Sequence, residues 1–323
     1  MSVSVLVPSY NHAPFIERTL RSIFAQTLKP KKLVVIDDGS KDESARIIEK
    51  ILRECPFESD FIARENRGLS ATLNEGFALC KDTEFFAYLG SDDVWLPEFL
   101  EERVKFLRSR PEAALAFGHA FLIDENENII DSTAEWFDFE EKKILHHLLN
   151  GEIFSSPTVV YRSEFLKKHR WNEESILEDY ELYLKLAAEG EFAFDPRVLS
   201  AWRQHGWNVS GDFPKMLAEW LAAQNRVAER LPFSRAELDE IQTHLRFKSV
   251  ADFVRYGYRR EALRLFRENL RGARSSAQIG KMLVRLLAPP PLFQWNRRRK
   301  RENKIRRYGN LKKFLENEKS LKF

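Results

Sequence analysis

Residues 3–40 read VSVLVPSYNHAPFIERTLRSIFAQTLKPKKLVVIDDGS, and this stretch decides the fold. Val3 to Val7 are apolar and largely β-branched, and Pro8 stops them. A short run of this kind is a strand buried on both faces. Residues 13–26 then place Phe15, Ile16, Leu20, Ile23 and Phe24 on one helical face. Leu33 to Ile36 repeat the strand, and Gly39-Ser40 turn the chain. Continuous rather than alternating apolar strands need a sheet covered on both sides, which parallel βαβ units provide.

The alternation continues. Residues 41–54 form an amphipathic helix with Ala45, Ile48, Ile51 and Leu52 inward. A third strand near Asp60 to Ala63, a helix over Leu69 to Cys80 and a fourth strand over Phe85 to Leu89 follow. Leu96 to Arg108 read as a helix with Pro97 in its first turn. Ala113 to Ile123 and Ser156 to Tyr161 read as strands, and Ile176 to Ala188 as a helix. After Gly211-Asp212 the chain turns charged, amphipathic and helical. The expectation is an α/β fold: a mostly parallel sheet flanked by helices over 1–211, then a helical, basic region over 212–323.

Apolar and charged fractions of 43% and 31% are those of a globular protein. Cys55 and Cys80 lie in helical stretches without metal spacing, which fits reduced, structural thiols in the cytoplasm. The first residues enter a strand directly, so no signal peptide is expected. No uncharged apolar run approaches the roughly 18 residues of a membrane-spanning helix. The net charge of +3 hides an asymmetry. From Pro291 onward twelve Lys/Arg face three acids, so the tail carries +9 and the remainder −6.

In open α/β sheets, ligands gather beyond the carboxyl ends of the strands. Three clusters fall there: PSYN after the first strand, DDGS after the second and GSDD after the fourth. Asp92 and Asp93 are adjacent carboxylates at a strand end. They suit Mg²⁺ or Mn²⁺ held together with phosphate oxygens, or else an acidic turn that caps the next helix. Asp38 either accepts hydrogen bonds from a base or ribose or simply builds a turn. Tyr10 either stacks on a base or packs at the core edge. Glu178 and Asp179 either stabilise a helix N-terminus or supply a general base. WRQHGWNVS (202–210) offers Arg203 as a forked phosphate donor, His205 as a polar ligand, and Trp202 and Trp207 as core or sugar platform.

Seven segments together resemble glycosyltransferase family 2, whose members have the GT-A fold. They are VSVLVPSYN (3–11), VVIDDGSKD (34–42), ENRGLSATLNEG (65–76), YLGSDDVWLP (88–97), SSPTVVYRSEFL (155–166), LEDYELYLKLA (177–187) and WRQHGWNVS (202–210). Each is weakly specific alone; their order and spacing carry the resemblance. It implies an inverting, metal-dependent transfer from a UDP-, GDP- or dTDP-sugar to a hydroxyl of a glycan or lipid-linked acceptor in cell-surface polysaccharide synthesis. By the same resemblance Pro8, Tyr10 and Asp38 line the base pocket, and Asn66, Gly68 and Asn74 lie beside the nucleotide. Asp92 is the metal-binding aspartate, flanked by Ser91 and Asp93. Asp179 is the base, and His205 is a metal or phosphate ligand.

Two positions depart from the family pattern: Gly90 replaces the first acid of the DxD motif, and Leu73 stands where relatives often carry Arg. A nucleotide-sugar-binding module without catalysis is the competing reading. A nucleotidyltransferase would want a Gly-rich basic loop after the first strand, and a dinucleotide oxidoreductase a GxGxxG there, where this chain has PSYNH. In the tail, QWNRRRKRENKIRRYGNLKK (294–313) beside Leu, Phe and Trp suits an anionic membrane surface, hence a protein peripheral on the inner face of the cell membrane. A solvated helical arm is the alternative, and no nucleic acid is expected.

Overall fold

The computed structural model of the chain describes residues 2–136, 138–206 and 212–321. Its strands are β1 (Val3–Ser9), β2 (Lys32–Asp37), β3 (Ser59–Ala63), β4 (Phe85–Tyr88), β5 (Val94–Trp95), β6 (Ala113–Ile123), β7 (Ile129–Ser132), β8 (Val160–Arg162) and β9 (Glu191–Arg203). The helices of the α/β part are α1 (Ile16–Phe24), α2 (Ser44–Leu52), α3 (Leu69–Cys80), α4 (Phe99–Arg108), α5 (Ile144–Leu149), α6 (Ser163–Lys168) and α7 (Glu178–Ala187). Beyond them lie α8 (Phe213–Arg226), α9 (Arg235–Arg255), α10 (Arg259–Glu268), α11 (Ser276–Leu287), α12 (Pro290–Tyr308) and α13 (Leu311–Leu321).

One sheet holds the strands in the order β3-β2-β1-β4-β8-β6-β9-β5, with β7 on β6. The first four strands run parallel. β8 is antiparallel to β4 and β6, and the long strands β6 and β9 run parallel. Side-chain alternation feeds two cores, one on each face. Val5, Val7, Leu33, Val35, Phe85 and Ala87 point to the face covered by α1, α2 and α4. Leu6, Val34, Ile36, Phe86 and Tyr88 point to the other, where the same apolar cluster continues through Leu217, Trp220, Leu245, Phe253 and Met282 of the C-terminal helices. Burial on both faces is why the middles of these strands are almost wholly apolar. Among the described residues, no helix is long and apolar enough to cross a membrane.

The structure departs from the sequence reading at two places, one expected strand and one strand that was not expected. The strand anticipated over Ser156 to Tyr161 is a 3-10 turn at Ser156–Thr158 followed by β8. Pro157 lacks the N–H a ladder needs, so the pairing starts after it. The thirteen-residue β9 has no clear strand pattern in EFAFDPRVLSAWR, because Asp195-Pro196-Arg197 interrupts it. The structure absorbs that interruption as a shift in the β6–β9 register between Gly118 and Ala120. Asp195 is held there in a buried ion pair with Arg103, whose Nη2 also donates to the Arg197 carbonyl at 3.1 Å.

Helix α3 crosses β1 so closely that a Cβ on Gly76 would lie 2.4 Å from both Leu6 methyls, and Leu6 is fully buried. The Gly76→Ala protein is therefore expected to lose about 1–3 kcal/mol of stability. Urea unfolding should show a lower midpoint at unchanged slope; an unchanged midpoint would mean that the helix moves away at no cost.

Candidate active site

Parallel register places Ser9 beside Asp37 and Asp37 beside Ala63, so the ends of β1, β2 and β3 form one edge. Side chains stitch the loops there. Asp37 accepts from the Ser40 amide at 2.9 Å and from its hydroxyl at 2.6 Å, which folds the DDGS turn. Asn11 takes a positive φ of 53°, donates its amide to Ser40 Oγ at 2.8 Å and accepts from the Lys41 amide at 2.8 Å. The next amide, of His12, donates to Ser44 Oγ at 3.0 Å. The PSYN turn is thus fixed against DDGS, and His12 is delivered toward the end of β4.

GSDD follows β4 and is held from below by Thr19, whose Oγ1 lies 3.0 Å from the Ser91 carbonyl and 2.8 Å from that of Asp93. The residues after GSDD pair with the end of β9, Val94 with Ala201 and Trp95 with Ser200. That pairing carries Arg203 and His205 back to the aspartates. The Arg203 amide donates to Asp93 Oδ1 at 2.8 Å, and His205 Nε2 lies 2.9 Å from Asp92 Oδ2. His12 Nδ1 sits 2.7 Å from Ser91 Oγ and 3.8 Å from Asp92 Oδ1. One ligand atom each from His12, Asp92 and His205 falls within 4.8 Å of the others. The His205 ring stacks on Phe15, centroids 5.4 Å apart, and Phe15 also carries the Arg203 guanidinium at 4.7 Å.

Electrostatics separates the two aspartates. Burial works to raise the Asp92 pKa, but the His205 hydrogen bond and the nearby imidazoles outweigh it, so Asp92 is held below the usual carboxylate range. Asp93 is pushed well above that range by burial and by the charge of Asp92. Burial lowers the His12 pKa against the pull of Asp92, so its imidazole stays neutral further into acid than an ordinary histidine. A neutral imidazole beside an ionised carboxylate is the protonation state a metal ligand set needs. Two imidazoles and one carboxylate suit Mn²⁺ better than Mg²⁺, which prefers oxygen donors throughout. A divalent cation therefore fits the residues present. Gly90 fits too: a Cβ there would crowd Asp92 Oδ1 at 3.0 Å and Asp93 Oδ2 at 3.2 Å.

Along the edge formed by the ends of β1, β2 and β3, Pro8 is buried in β1 and Tyr10 is 44% exposed. Asp38 accepts from the amides of Arg67 and Gly68, both at 2.9 Å, and pairs with Arg64, so its carboxylate shapes the loop before α3. Gly68 takes φ 87° at the start of α3, a conformation that favours glycine. Asn66 is exposed beside it. Asn74 faces elsewhere: its amide bonds both the N–H and the C=O of Trp171 and reaches Glu173. Leu73 is fully buried in the core.

Glu178 and Asp179 open α7, half-buried, beside Tyr88 at the end of β4. The Tyr88 hydroxyl lies 3.5 Å from Glu178 Oε1. Burial, then the Glu178 charge, pushes Asp179 well above the usual carboxylate range. Its field in turn adds to burial in raising Tyr88, Tyr161 and Tyr183.

Arg203 is turned into the protein. Its Nε donates to the Asp92 carbonyl at 2.7 Å, Nη1 to the Asp124 carbonyl at 3.1 Å and Nη2 to Glu127 at 3.3 Å. Glu127 also accepts from Arg18 at 3.0 Å, and its carbonyl accepts from the Leu311 amide at 2.8 Å. The turn over 124–128 and the C-terminal helices therefore buttress the aspartates. His12 and Glu127 had no role in the sequence reading. A histidine directly after PSYN was the available signal for the first; the second has none. Trp202 is half-buried in β9, and Trp207 lies outside the described residues.

Residues 4–170, more than half of the chain, match the model of glycosyl transferase family 2. A Nostoc glycosyltransferase is 32% identical over 172 residues, which is 52% of this chain and 53% of that protein. The chain thus spans about half the length of that relative. A Rickettsia typhi glycosyltransferase is 25% identical over 264 residues, 78% of this chain and 80% of that protein. Escherichia coli chondroitin synthase is 26% identical over 215 residues, 64% of this chain and 30% of the synthase. Among solved structures, a Pyrobaculum calidifontis mannosyltransferase bound to GDP-Man and Mn²⁺ superposes with a TM-score of 0.61 at 17% identity, covering 91% of this chain and 82% of that one. S. aureus TarS with UDP-GlcNAc gives 0.59 at 18% identity, covering 95% and 90%. The fold is the GT-A fold, and the chain belongs to glycosyl transferase family 2.

Proposed function

We propose that the chain moves a sugar from a nucleoside-diphosphate sugar to a hydroxyl acceptor with inversion at the anomeric carbon, in the synthesis of a cell-surface glycan. The observation that carries this reading is the convergence of His12, Asp92 and His205, from three distant segments, within 4.8 Å at the edge of the sheet. The relatives support it: the two solved neighbours hold UDP-GlcNAc and GDP-Man, the latter with Mn²⁺.

In this reading Asp179 takes the proton of the acceptor hydroxyl while that oxygen attacks the anomeric carbon from the face opposite the diphosphate. The C–O bond to the diphosphate breaks, and one displacement inverts the configuration. Its raised pKa gives Asp179 a stronger hold on a proton than an ordinary carboxylate has. A divalent cation held by His12, Asp92 and His205 would supply charge stabilisation for the departing diphosphate. Tyr10 and the loop from Asn66 to Gly68 receive the base and ribose, with Pro8 and Asp38 shaping the pocket. Ser91 orients His12, and Asn74 ties α3 to the 171–173 turn. Asp93 and Arg203 hold the backbone of GSDD, which makes Arg203 a positioning residue. Gly90 does not favour a catalytically inert module, since a side chain there would crowd both carboxylates.

Asp179→Asn is expected to bind donor normally and to lose roughly 10²–10⁴-fold in kcat. Its stability should also depart from that of the parent in a pH-dependent way. A raised folded-state pKa gives stability that is present below the unfolded value of about 3.9 and lost as pH rises through the folded value. The amide carries no charge to bury. The melting temperature of Asp179→Asn should therefore match the parent near pH 4 and exceed it increasingly toward pH 8. Normal turnover would remove the base assignment.

Thermal shift with UDP-, GDP- and dTDP-sugars, with and without Mn²⁺, tests the metal. A ligand at one hundred times its Kd stabilises by about 2.7 kcal/mol. One nucleotide class should shift the parent in a Mn²⁺-dependent manner, more strongly than with Mg²⁺, and Asp92→Ala and His12→Ala should lose the Mn²⁺-dependent part. A full shift in His12→Ala would take that residue out of the ligand set. Glu127→Ala, remote from donor and acceptor, should weaken Mn²⁺ binding by roughly ten-fold, as loss of an outer support does. Isothermal titration with Mn²⁺ alone reads this without turnover, and unchanged affinity would confine Glu127 to a structural role.

A further inference from the structure

The basic helix α12 has two faces, and among the described residues one of them is pinned to the body. Helix α12 is pinned to the body through Arg301 on Asp124 at 2.9 Å, Lys304 on Glu135, and Tyr308 against Phe121 with centroids 5.5 Å apart. These residues share one side of the helix. On the opposite side, at spacings of three, seven and fourteen residues, stand Leu292, Trp295, Arg299 and Arg306, all exposed. Helix α11 is split in the same way. Met282 is buried, with Ile279 and Leu286 packed against the core, while Val284 is 68% and Leu287 81% exposed.

Among the described residues thirteen large apolar side chains are markedly exposed; five of them, Leu283, Val284, Leu287, Leu292 and Trp295, lie within thirteen positions. Single exposed apolar residues need no explanation, but a contiguous group marks a surface that meets something. Leu287 and Leu292 are five residues apart across the extended Ala288-Pro289 corner, so they are at most about 17 Å from each other. The surroundings are cationic. Between Ala277 and Arg307 ten Lys/Arg stand against one acid, Glu302. Lys281, Arg285, Arg299, Lys300 and Arg306 are exposed, and Arg299 lies over the Trp295 ring at 5.3 Å.

We propose that the outward faces of α11 and α12 form a docking surface for an anionic lipid bilayer, with Val284, Leu287, Leu292 and Trp295 entering the headgroup region and the cations meeting lipid phosphates. Charge decides the occupant. A second copy of the chain would bring the same cations face to face and repel. A neutral protein partner leaves them unanswered. A bilayer answers both parts at once, because it offers apolar depth beneath a negative surface. Docking by this face turns the pinned face of α12, and the body behind it, away from the lipid. A lipid-anchored acceptor then meets a soluble donor at the interface; this last point rests on the transferase reading, whereas the docking itself does not.

The test uses the full chain and vesicles without donor or acceptor. Co-sedimentation is measured with pure phosphatidylcholine and with mixed phosphatidylcholine–phosphatidylglycerol vesicles. The parent should pellet only with the mixed vesicles. Arg299→Gln with Arg306→Gln should weaken partitioning about 30-fold, at about 1 kcal/mol per cation. Leu287→Glu with Trp295→Glu should abolish it. These four side chains are exposed, so circular dichroism and melting temperature should be unchanged, and two independent variant pairs guard against misfolding of either. Failure of the parent to pellet overturns the proposal, as does equal binding by the Leu287→Glu/Trp295→Glu protein. Binding to duplex DNA or RNA in place of vesicles also overturns it. Loss of vesicle binding with full turnover on a soluble acceptor would support the docking surface separately from the chemistry.

Discussion

Two neighbouring carboxylates inside a protein cannot both keep their charge without partners, and the geometry around Asp92 and Asp93 follows from that constraint. The chain turns them into different environments. Asp93 points toward main chain, accepting from the Arg203 amide, and its proton is held tightly. Asp92 points toward two imidazoles and stays ionised. Divergent pKa values in adjacent acids are a common way for one site to keep one charge and silence another. The arrangement rests on two pairings of β9: the two-residue β5 lies against Ser200 and Ala201, and β6 holds Arg203 beside Ile123, so that residues 203 and 205 return to residues 92 and 93. A local motif and a segment more than a hundred residues later thus become one site through a ladder of backbone hydrogen bonds.

The parallel half of the sheet was legible in the sequence because double-sided burial leaves a simple mark. Where strand positions are covered on both faces, nearly all are apolar, and a 3.6-residue stripe between two such runs reads as a crossover helix. Helix α3 and strand β6 begin and end where the pattern placed them. β9 was illegible for a physical reason: its middle is held by a buried ion pair and a register shift, so tertiary contacts override a local Asp-Pro-Arg break. The same contrast holds for the site. Asp92 and His205 announce themselves by motif and meet at 2.9 Å. His12 is one residue beyond a recognised motif, and its orientation depends on a positive-φ asparagine and a serine at the start of α2, neither visible from residue types alone. Arg203 shows a role that residue type does not announce. A guanidinium near phosphate chemistry invites a ligand role, yet its fork matches backbone carbonyls as well as it matches phosphate, and the structure uses it so.

The C-terminal helices change what the basic tail means. Net charge alone could not say whether +9 faces outward or inward. It does both, because α12 presents alternate sides to the body and to solvent. Arg301, Lys304 and Arg307 lie on acidic residues around β7, so part of the tail neutralises part of the negative body. Only the remainder is available to a partner, and it coincides with the apolar residues that the core does not use.

This inward face also ties the tail to the chemistry. Glu127 takes φ 61°, a left-handed conformation that costs a non-glycine residue about 1–2 kcal/mol. It persists because the turn is held at several points. The Glu127 amide donates to the Asp124 carbonyl, Asn128 is held by the Asp124 carboxylate, and the Leu311 amide donates to the Glu127 carbonyl while the Leu311 side chain is fully buried. In that conformation the Glu127 carboxylate reaches both Arg18 and Arg203. Order in residues 309–311, the shape of the 124–128 turn and the direction of Asp92 are therefore parts of one cooperative unit. The tail thus connects to Asp92 without touching it, through a single arginine that donates to the Asp92 carbonyl on one side and to the Asp124 carbonyl and Glu127 on the other.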